Sequence, residues 1–250
     1  MLHEAPFSKV AEVVADLNQN FKNHSAADVL DHALSDDLLG PIALVSSFGA
    51  ESVVLLHMVA VRAPKTPVLF LNTQMLFDET LEYQRQVADK LGLEDVRIIR
   101  PVRENLLKHD VDGILHLYDT DACCSLRKMQ PLQTALKGFD SWITGRKRFQ
   151  GGTRTELDFF EFNQGRVKVN PLAHWSRENI TEYMENNNLP RHPLVAQGYP
   201  SIGCAPCTAQ VSAGGDPRSG RWAGQDKTEC GIHFINGRPI RGPKPQEDHL

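Results

Sequence analysis

Short apolar runs alternate with helical patterns along the first 145 residues, and this alternation constrains the fold more than any other feature. Four runs have the length of buried strands: Pro41–Val45, Val68–Leu71, Val96–Arg100 and Ser141–Thr144. Helical patterns surround them at about residues 6–22, 25–36, 52–61, 77–91 and 124–137. Strands and helices that alternate at this spacing predict βαβ units, and therefore an α/β fold with a mostly parallel sheet flanked by helices.

The second half of the chain departs from this alternation. Residues 157–170 alternate apolar and polar side chains on both sides of a turn at 163–165, which predicts a hairpin that extends one edge of the sheet. A further helix is predicted from Ser176, its N-cap, to about Asn187, with Glu178 near its first turn.

Beyond Pro190 the chain is rich in glycine and proline, and its periodicity fades. We therefore expect two parts: an α/β domain over residues 1–210 and a flexible C-terminal segment over residues 211–250. The sequence leaves open whether the chain forms a homo-oligomer.

Charge and hydropathy exclude several classes of protein. The net charge of −4 indicates no global basic face, so we expect no nucleic acid partner, and any anion site must use local Lys and Arg. The apolar runs are shorter than the roughly 18 residues of a membrane span, and the N-terminus has no cleavage-site pattern. We expect a cytoplasmic protein with no membrane partner. In a reducing compartment, five cysteines favour metal binding or catalysis over disulfides.

Two serines and a glycine follow the first predicted strand. Residues 46–52 (SSFGAES) lead into a helix, and ligands of open α/β sheets bind beyond the carboxyl ends of the strands. The hydroxyls of Ser46 and Ser47, a flexible Gly49 and helix N-terminal amides can together hold an oxyanion. The stretch is similar to the Ser-Gly-rich loop of enzymes that handle the α-phosphate of adenylates, and it is not a Walker loop. The alternative is an ordinary strand-to-helix turn.

Four of the five cysteines occur in two tight pairs. Cys123 and Cys124 are adjacent, and Cys204 and Cys207 form a C-x-x-C motif about 80 residues later. Four thiolates can bind a tetrahedral zinc ion or a 4Fe–4S cluster. Adjacent ligands are unusual for zinc, so the adjacency favours the cluster. Lys128 follows the first pair closely and can pair with an anionic cluster. The alternative for the cysteines is two unrelated thiol pairs in the core, and the alternative for Lys128 is a solvated helix face.

Two groups of cations lie beside glycines in this net-acidic chain. Arg146-Lys-Arg148 and Arg154 follow a predicted strand end, and Arg218 and Arg221 lie in the stretch GDPRSGRW. Arginine forks suit the oxygens of phosphate and sulfate, so these groups indicate a multiply charged anionic ligand. A basic face that only meets solvent is the alternative.

The fifth cysteine stands apart, in the stretch KTECGIH at residues 227–233. By itself this pattern allows three interpretations of Cys230: an inert apolar filler, a metal ligand or a nucleophile.

Together these motifs resemble the assimilatory adenylyl-sulfate reductases, also called adenosine 5′-phosphosulfate (APS) reductases. The resemblance rests on the two cysteine pairs and on the final ECGIH, and it covers about residues 40–235. Four further stretches occur in the family's order: SSFGAES, ITGRKRFQGGTR, KVNPLAHWS and GDPRSGRW. Leu71-Asn-Thr-Gln74 stands where the family commonly has Leu-Asp-Thr-Gly.

The resemblance implies an adenine nucleotide α-hydrolase-like fold, in which residues 1–210 bind the nucleotide and a 4Fe–4S cluster. It places the cluster on Cys123, Cys124, Cys204 and Cys207, and it implies thioredoxin as the reductant. The resemblance also implies that Cys230 is the nucleophile and that Lys128 is a basic residue between the cluster and the substrate. The implied substrate-binding residues are Ser46, Ser47, Lys128, Arg154, Arg218, Arg221 and His233.

These residues suggest a mechanism. The Cys230 thiolate attacks the sulfur of APS, AMP leaves, and thioredoxin releases sulfite from the resulting Cys-S-SO₃⁻. We expect Glu229 to point away from Cys230, because its charge would oppose a low thiol pKa. Three competitors remain: a 3′-phosphoadenylyl-sulfate (PAPS) reductase, an adenylating tRNA sulfur transferase and a zinc-stapled nucleotide-binding module. The sister PAPS reductases share ECGIH but lack the paired cysteines, so the pairs favour APS.

Overall fold

Six strands form one sheet in the computed structural model, which describes residues 7–151, 154–225, 227 and 229, with backbone alone at 7–8, 234–235 and 238–239. The strands are β1 (Ile42–Ser46), β2 (Val68–Leu71), β3 (Val96–Ile99), β4 (Ser141–Ile143), β5 (Phe160–Asn163) and β6 (Arg166–Val169). Their order is β3-β2-β1-β4-β6-β5, and every pair is parallel except β5 with β6. The predicted mostly parallel α/β sheet and its edge hairpin are confirmed. Two further short strands, β7 (Phe234–Ile235) and β8 (Arg238–Pro239), pair with each other.

Ten helices accompany the strands in the described part of the chain: α1 (Phe7–Phe21), α2 (Ala26–Ser35), α3 (Ser52–Ala60), α4 (Asp78–Leu91), α5 (Arg103–His109), α6 (Leu115–Tyr118), α7 (Thr120–Cys124), α8 (Gln130–Ala135), α9 (Arg177–Asn186) and α10 (Pro193–Ala196). The predictions for α1 to α4 and for α9 are confirmed. Ser176 caps α9 as predicted, since its side chain accepts a hydrogen bond from the Asn179 amide.

Helices cover both faces of the sheet. Successive side chains of β1 point to opposite faces of the sheet and enter two separate cores. Leu44 belongs to the larger core, and Ala43 and Val45 belong to the smaller one. The larger core packs the sheet against α1 to α4 and α9, and the smaller one packs it against Leu132 and Leu136 on and after α8. Strands buried on both faces explain why the sequence shows continuous apolar runs there.

The helix predicted over residues 124–137 begins earlier than expected and is interrupted. It starts with α7 at Thr120, because the Asp119 side chain accepts a hydrogen bond from the Ala122 amide and caps it. A π-helical turn over Ser125–Met129 then separates α7 from α8. Turns of this kind are frequent at functional sites.

Candidate functional site

A cavity of about 240 Å³ lies at the carboxyl ends of β1 and β4. From β1 the chain adds β2 and β3 on one side, and it then crosses to β4 on the other side of β1. Strand order therefore reverses between β1 and β4, which is where open α/β sheets bind ligands. Ser46 and Ser47 line the cavity from the first strand, and Thr144 and Gly145 line it from the second.

The serine loop is held in place by burial. Ser46 Oγ accepts a hydrogen bond of 3.1 Å from the Phe48 amide, and Phe48 has a φ of 49°, which is unusual for a residue with a side chain. The Phe48 ring is fully buried against Phe70, so packing offsets the backbone strain. Within the described part of the chain, no side chain caps the start of α3, which follows this loop, so its first amides have no side-chain acceptor there.

Cations outnumber carboxylates along the cavity. Among the described residues, three carboxylates line it, at Glu51, Asp216 and Glu229. Seven cations of the same part of the chain line it: Lys128, Arg146, Lys147, Arg154, Arg177, Arg218 and Arg221. A chain with a net charge of −4 thus concentrates positive charge at one place, as an anionic ligand requires. Six of the seven predicted substrate-binding residues line the cavity: Ser46, Ser47, Lys128, Arg154, Arg218 and Arg221.

The basic run after β4 divides between cavity and surface. Lys147 is buried and pairs with Glu51 at 2.7 Å, and burial lowers its pKa although Glu51 opposes the shift. Arg146 is also buried and contacts Glu161 and Asn170. Arg148 is more exposed and donates to the Leu157 carbonyl at 2.7 Å, away from the cavity. Arg146 and Lys147 therefore fit the interpretation as part of an anion site, and Arg148 fits the interpretation as a basic residue that meets solvent.

Arg221 is fixed by three neighbours. Its Nη1 donates to the Ile202 carbonyl at 3.3 Å, and its guanidinium stacks 4.5 Å from the centre of the Trp222 ring. Gly203 lies against the same guanidinium, so closely that a Cβ at this position would clash with it. The Trp222 amide donates to the Cys207 carbonyl, so this arginine is tied to the C-x-x-C segment.

The four paired cysteines interact with one another. Cys123, Cys124 and Cys204 are buried, and Cys207 is half-buried. Burial first, and then the charge of Cys124, raises the pKa of Cys123 to about 12. Burial and the charge of Cys204 raise the pKa of Cys207. The charge of Cys204 also raises the pKa of Cys123, and the charge of Cys124 that of Cys207, so the two sequence pairs, about 80 residues apart, lie close together in space.

Cys204 differs from the other thiols because hydrogen-bond donors surround it. Thr73 Oγ1 lies 3.2 Å from its Sγ, and Lys128 also hydrogen-bonds to it. Burial opposes ionisation of Cys204, but the Lys128 charge, the Thr73 hydroxyl and Arg221 outweigh burial and lower its pKa. Cys204 and Lys128 both line the cavity, so the cysteine group adjoins the basic pocket.

Within the described residues, no three His, Cys, Asp or Glu side chains converge as the ligands of a single metal ion do. The thiolates of a 4Fe–4S cluster each bind a different iron and do not converge in this way. The donor set itself, four neighbouring thiols beside a lysine, fits such a cluster.

The C-terminal stretch reaches the cavity through Glu229. Glu229 is buried and lines the cavity, where Arg154 binds its carboxylate. Burial raises the pKa of Glu229, but Arg154, Arg218 and Arg146 outweigh it and lower the pKa overall. Cys230 and His233, the predicted nucleophile and substrate contact, lie outside the described residues.

Two residues of the site, Arg177 and Thr73, and one strained residue beside them, Gln74, were not predicted. Arg177, the first residue of α9, lines the cavity, and a cation after a helix N-cap carries no sequence signal of its own. Thr73 reaches Cys204 from the end of β2, a contact between residues 131 positions apart that no local pattern encodes. Gln74 has a φ of 61°, a conformation that favours glycine, and it stands where the resembled family commonly has glycine.

Comparisons with known proteins agree with the geometry. The sequence pattern of the phosphoadenosine phosphosulfate reductase domain matches residues 41–210. The adenosine 5′-phosphosulfate reductase of Mesorhizobium japonicum is 45% identical over 90% of this chain and 89% of its own length. That of a Chelativorans species is 50% identical over 78% of this chain and 80% of its own. The solved phosphoadenylyl-sulfate reductase of Candida auris has a TM-score of 0.68 and 25% identity, covering 80% of this chain and 97% of its own.

The fold and the site define an α/β protein of the adenine nucleotide α-hydrolase-like class, with a basic pocket at its switch point. The chain belongs to the phosphoadenosine phosphosulfate reductase domain family and is an oxidoreductase of sulfate reduction. No helix in the described residues is long and apolar enough to cross a membrane.

Proposed function

We propose that the protein reduces adenosine 5′-phosphosulfate to sulfite and AMP, with Cys230 as the nucleophile and thioredoxin as the electron donor. One observation carries the proposal: a single cavity joins the serine loop, the basic residues, Cys204 and Glu229, the neighbour of Cys230. The relatives with 45% and 50% identity bear the name of an adenosine 5′-phosphosulfate reductase, which supports the choice of substrate.

The pocket suits a substrate with two negative groups. Lys128, Arg218 and Arg221 can bind phosphate and sulfate oxygens, and Ser46 and Ser47 can donate hydrogen bonds to them. These cations also offset the repulsion between the anionic substrate and an attacking thiolate. His233 is assigned to the same substrate by its place in the ECGIH stretch.

In the first step, the Cys230 sulfur bonds to the sulfur of the sulfate group while the bond from that sulfur to the AMP oxygen breaks. The electron pair of the broken bond leaves with AMP, and the enzyme carries Cys230-S-SO₃⁻. Cations near the leaving phosphate stabilise the charge that develops there.

In the second step, one thiolate of reduced thioredoxin attacks the Cys230 sulfur, and sulfite leaves with the electron pair of its bond. The second thioredoxin thiol then breaks the mixed disulfide and restores the Cys230 thiolate. Two electrons pass from the dithiol to the sulfo group, so the balance requires no other reductant.

We also propose that Cys123, Cys124, Cys204 and Cys207 hold a 4Fe–4S cluster. When bound, the cluster supplies a rigid anionic crosslink beside the pocket. Lys128 then lies between the cysteine group and the substrate, and the hydrogen bond from Lys128 to Cys204 supports this role. Residues 1–210 form the nucleotide- and cluster-binding part in this proposal. Residues 211–250 form the segment that carries Cys230 and opens for thioredoxin in the cytoplasm.

Mass spectrometry of the full chain tests the nucleophile. We expect a sulfo adduct on the Cys230 peptide after mixing with APS in the absence of thioredoxin. The Cys230→Ser variant, carrying the same amount of iron, should form no adduct. Absence of an adduct in the cluster-loaded wild type would contradict the mechanism.

Two further measurements test substrate and cofactor. We expect kcat/KM to be far higher with APS than with PAPS, and equal values would overturn the assignment. Purified protein should be brown, with broad absorbance at about 400 nm from iron–thiolate charge transfer. Colourless protein that contains one zinc ion would contradict the cluster.

A further inference from the structure

The guanidinium of Arg127 is buried, and all three of its nitrogens donate hydrogen bonds. Its Nε and Nη2 lie 2.9 Å and 2.5 Å from Oδ2 of Asp110. Its Nη1 lies 3.0 Å from the carbonyl oxygen of Thr73. The other carboxylate oxygen of Asp110 accepts a hydrogen bond of 2.8 Å from the Leu115 amide, so this carboxylate is itself fixed. One side chain thus joins the turn between α5 and α6 to the loop after β2.

Thr73 continues this connection to the C-x-x-C segment. Its hydroxyl lies 3.2 Å from Cys204 Sγ and accepts a hydrogen bond of 3.2 Å from the Met75 amide. The Met75 carbonyl in turn accepts a hydrogen bond of 2.7 Å from the Ala205 amide. Leu76 and Cys204 also form an isolated antiparallel bridge. The loop after β2 therefore holds Cys204 both by its backbone and through one side chain.

The adjacent cysteines are attached to Arg127 through the chain itself. They end α7, and Arg127 lies in the π-helical turn that follows. Lys128, the next residue, lines the cavity and hydrogen-bonds to Cys204. Among the described residues that line the cavity, Arg127 is absent, so its effect on a substrate is indirect. Two consecutive cations thus have separate surroundings.

We propose that Arg127 is a positioning residue for the cluster: it binds the loop after β2 to the turn that follows the adjacent cysteines, and so holds the two cysteine pairs beside each other. The inference rests on the proposed 4Fe–4S cluster. It assigns the two neighbouring cations different parts, since Lys128 contributes charge beside Cys204 and Arg127 contributes geometry.

The pair of Arg127 with Asp110 carries no net charge, and this favours positioning over electrostatics. The two charges neutralise each other in the interior, so together they add no net positive charge around an anionic cluster. What the guanidinium supplies is a planar fork that spans a carboxylate and a carbonyl at once. A lysine ammonium is a single point of charge on a flexible stem, so it cannot make both contacts in the same geometry.

Two variants of the full chain separate position from charge and from stability. Arg127→Lys keeps the charge and loses the fork. Asp110→Leu combined with Arg127→Met replaces the whole pair by apolar side chains, a change that is often neutral or stabilising at a buried ion pair. This double variant therefore removes the contact to the Thr73 carbonyl without leaving a charge unpaired in the interior.

Two matched controls accompany them. Arg62→Lys repeats the substitution at a partly exposed arginine that also spans a carboxylate, of Asp31, and a carbonyl, of Met58. Leu30→Ala removes a buried side chain of α2 from the larger core, on the face of the sheet opposite α8, and so lowers stability away from the cysteine group.

One measurement follows the cluster and the other needs no metal. Metal-free protein is supplied with iron salts and sulfide without oxygen, and absorbance at about 400 nm gives the rate of assembly. Release of iron to a chelator then gives the rate of loss. In metal-free protein, hydrogen exchange is followed at the amides of Met75 and Ala205, which carry the contacts between the loop after β2 and the C-x-x-C segment. Thermal unfolding reports the stability of each variant.

We expect Arg127→Lys and the apolar double variant to release iron roughly ten- to hundredfold faster than the wild type, as loss of a partner that orients metal ligands does. Both should assemble the cluster more slowly and exchange the two amides at least fivefold faster in the metal-free state. The double variant should do so although its unfolding temperature stays near that of the wild type. Leu30→Ala should unfold at a lower temperature and keep the wild-type rate of iron release, and Arg62→Lys should keep both.

Wild-type iron release in Arg127→Lys would overturn the proposal, since a point charge would then serve as well as the fork. Equally fast release in Leu30→Ala would also overturn it, because loss of iron would then follow stability alone. Failure of the wild type to take up a cluster would remove the cofactor, and exchange at Met75 and Ala205 would still decide whether Arg127 holds the cysteine pairs together. A normal cluster with unchanged exchange in both variants of Arg127 would remove positioning and keep the cluster.

Discussion

Gly203 lies against the guanidinium of Arg221, so closely that a Cβ at this position would be 2.5 Å from its Cζ. The backbone of Gly203 therefore forms one wall of the place where Arg221 is held, and the Trp222 ring contacts the same guanidinium. A side chain at residue 203 would clash with Arg221, and this gives the first prediction.

Gly203→Ala should displace Arg221 without removing it. We expect KM for APS to rise roughly ten- to hundredfold, because a charge-assisted hydrogen bond contributes about 1.5–3 kcal/mol. Steady-state kinetics with matched iron content measures this effect. In an Arg221→Ala background the same glycine substitution should have little further effect. Equal losses in both backgrounds would show that Gly203 acts on something other than Arg221.

The Thr73 hydroxyl, 3.2 Å from Cys204 Sγ, gives the second prediction. Thr73→Val removes this donor, and the anionic sulfur loses part of its stabilisation. We expect the cluster absorbance of Thr73→Val to bleach several-fold faster in air than that of the wild type. Thr73→Ser should restore the wild-type rate, and Thr66→Val provides a control at another buried threonine. Identical bleaching in the valine and serine variants would exclude a role for the hydrogen bond.

Asp110 and Arg127 give a prediction about stability. They form a buried pair at 2.5 Å, with side chains 1% and 7% exposed, and Arg127 also donates to the Thr73 carbonyl. Asp110→Ala should lower the free energy of unfolding by about 3–5 kcal/mol, because it leaves a buried guanidinium without its counter-charge. Glu82→Ala, which breaks the exposed Arg85 pair, should cost less than about 1 kcal/mol. Denaturant unfolding measures both, and similar losses would contradict this account.

Local patterns in the sequence predict the elements whose burial is regular. β2 shows why, since all four of its residues are buried and its apolar run has the bounds of the strand. In contrast, α5 and α6 contain no buried residue, so no hydrophobic period indicates them. The Asp119 cap of α7 was present in the sequence, but the apolar pattern began later and set the predicted start too late.

The sequence likewise predicts some residues of the site and not others. Ser46 and Ser47 could be placed because strand ends of a parallel sheet meet at one edge. The pair of Arg154 with Glu229 could not be predicted, because it joins residues 75 positions apart and no periodicity encodes such a contact. The same holds for the hydrogen bond between Thr73 and Cys204, whose residues lie 131 positions apart.

His192 gives the last prediction, on the pH dependence of stability. It is buried, its Nδ1 accepts a hydrogen bond of 3.2 Å from the Leu194 amide, and its Nε2 lies 3.1 Å from the Thr80 hydroxyl. The acceptor role of Nδ1 requires the neutral ring. Burial lowers the pKa of His192 from 6.5 to about 4, although the charge of Glu79 opposes this shift.

The folded state therefore binds this proton less readily than the unfolded state does. Its contribution to stability is complete above pH 6.5 and is lost progressively as the pH falls from 6.5 towards 4. At about 1.36 kcal/mol per pKa unit, the loss is on the order of 3 kcal/mol. His192→Asn keeps a capping side chain but cannot take up the proton, so its unfolding free energy should fall less over this range. His109→Gln, at an exposed site on α5, should keep the wild-type slope, and equal slopes in all three proteins would refute the prediction.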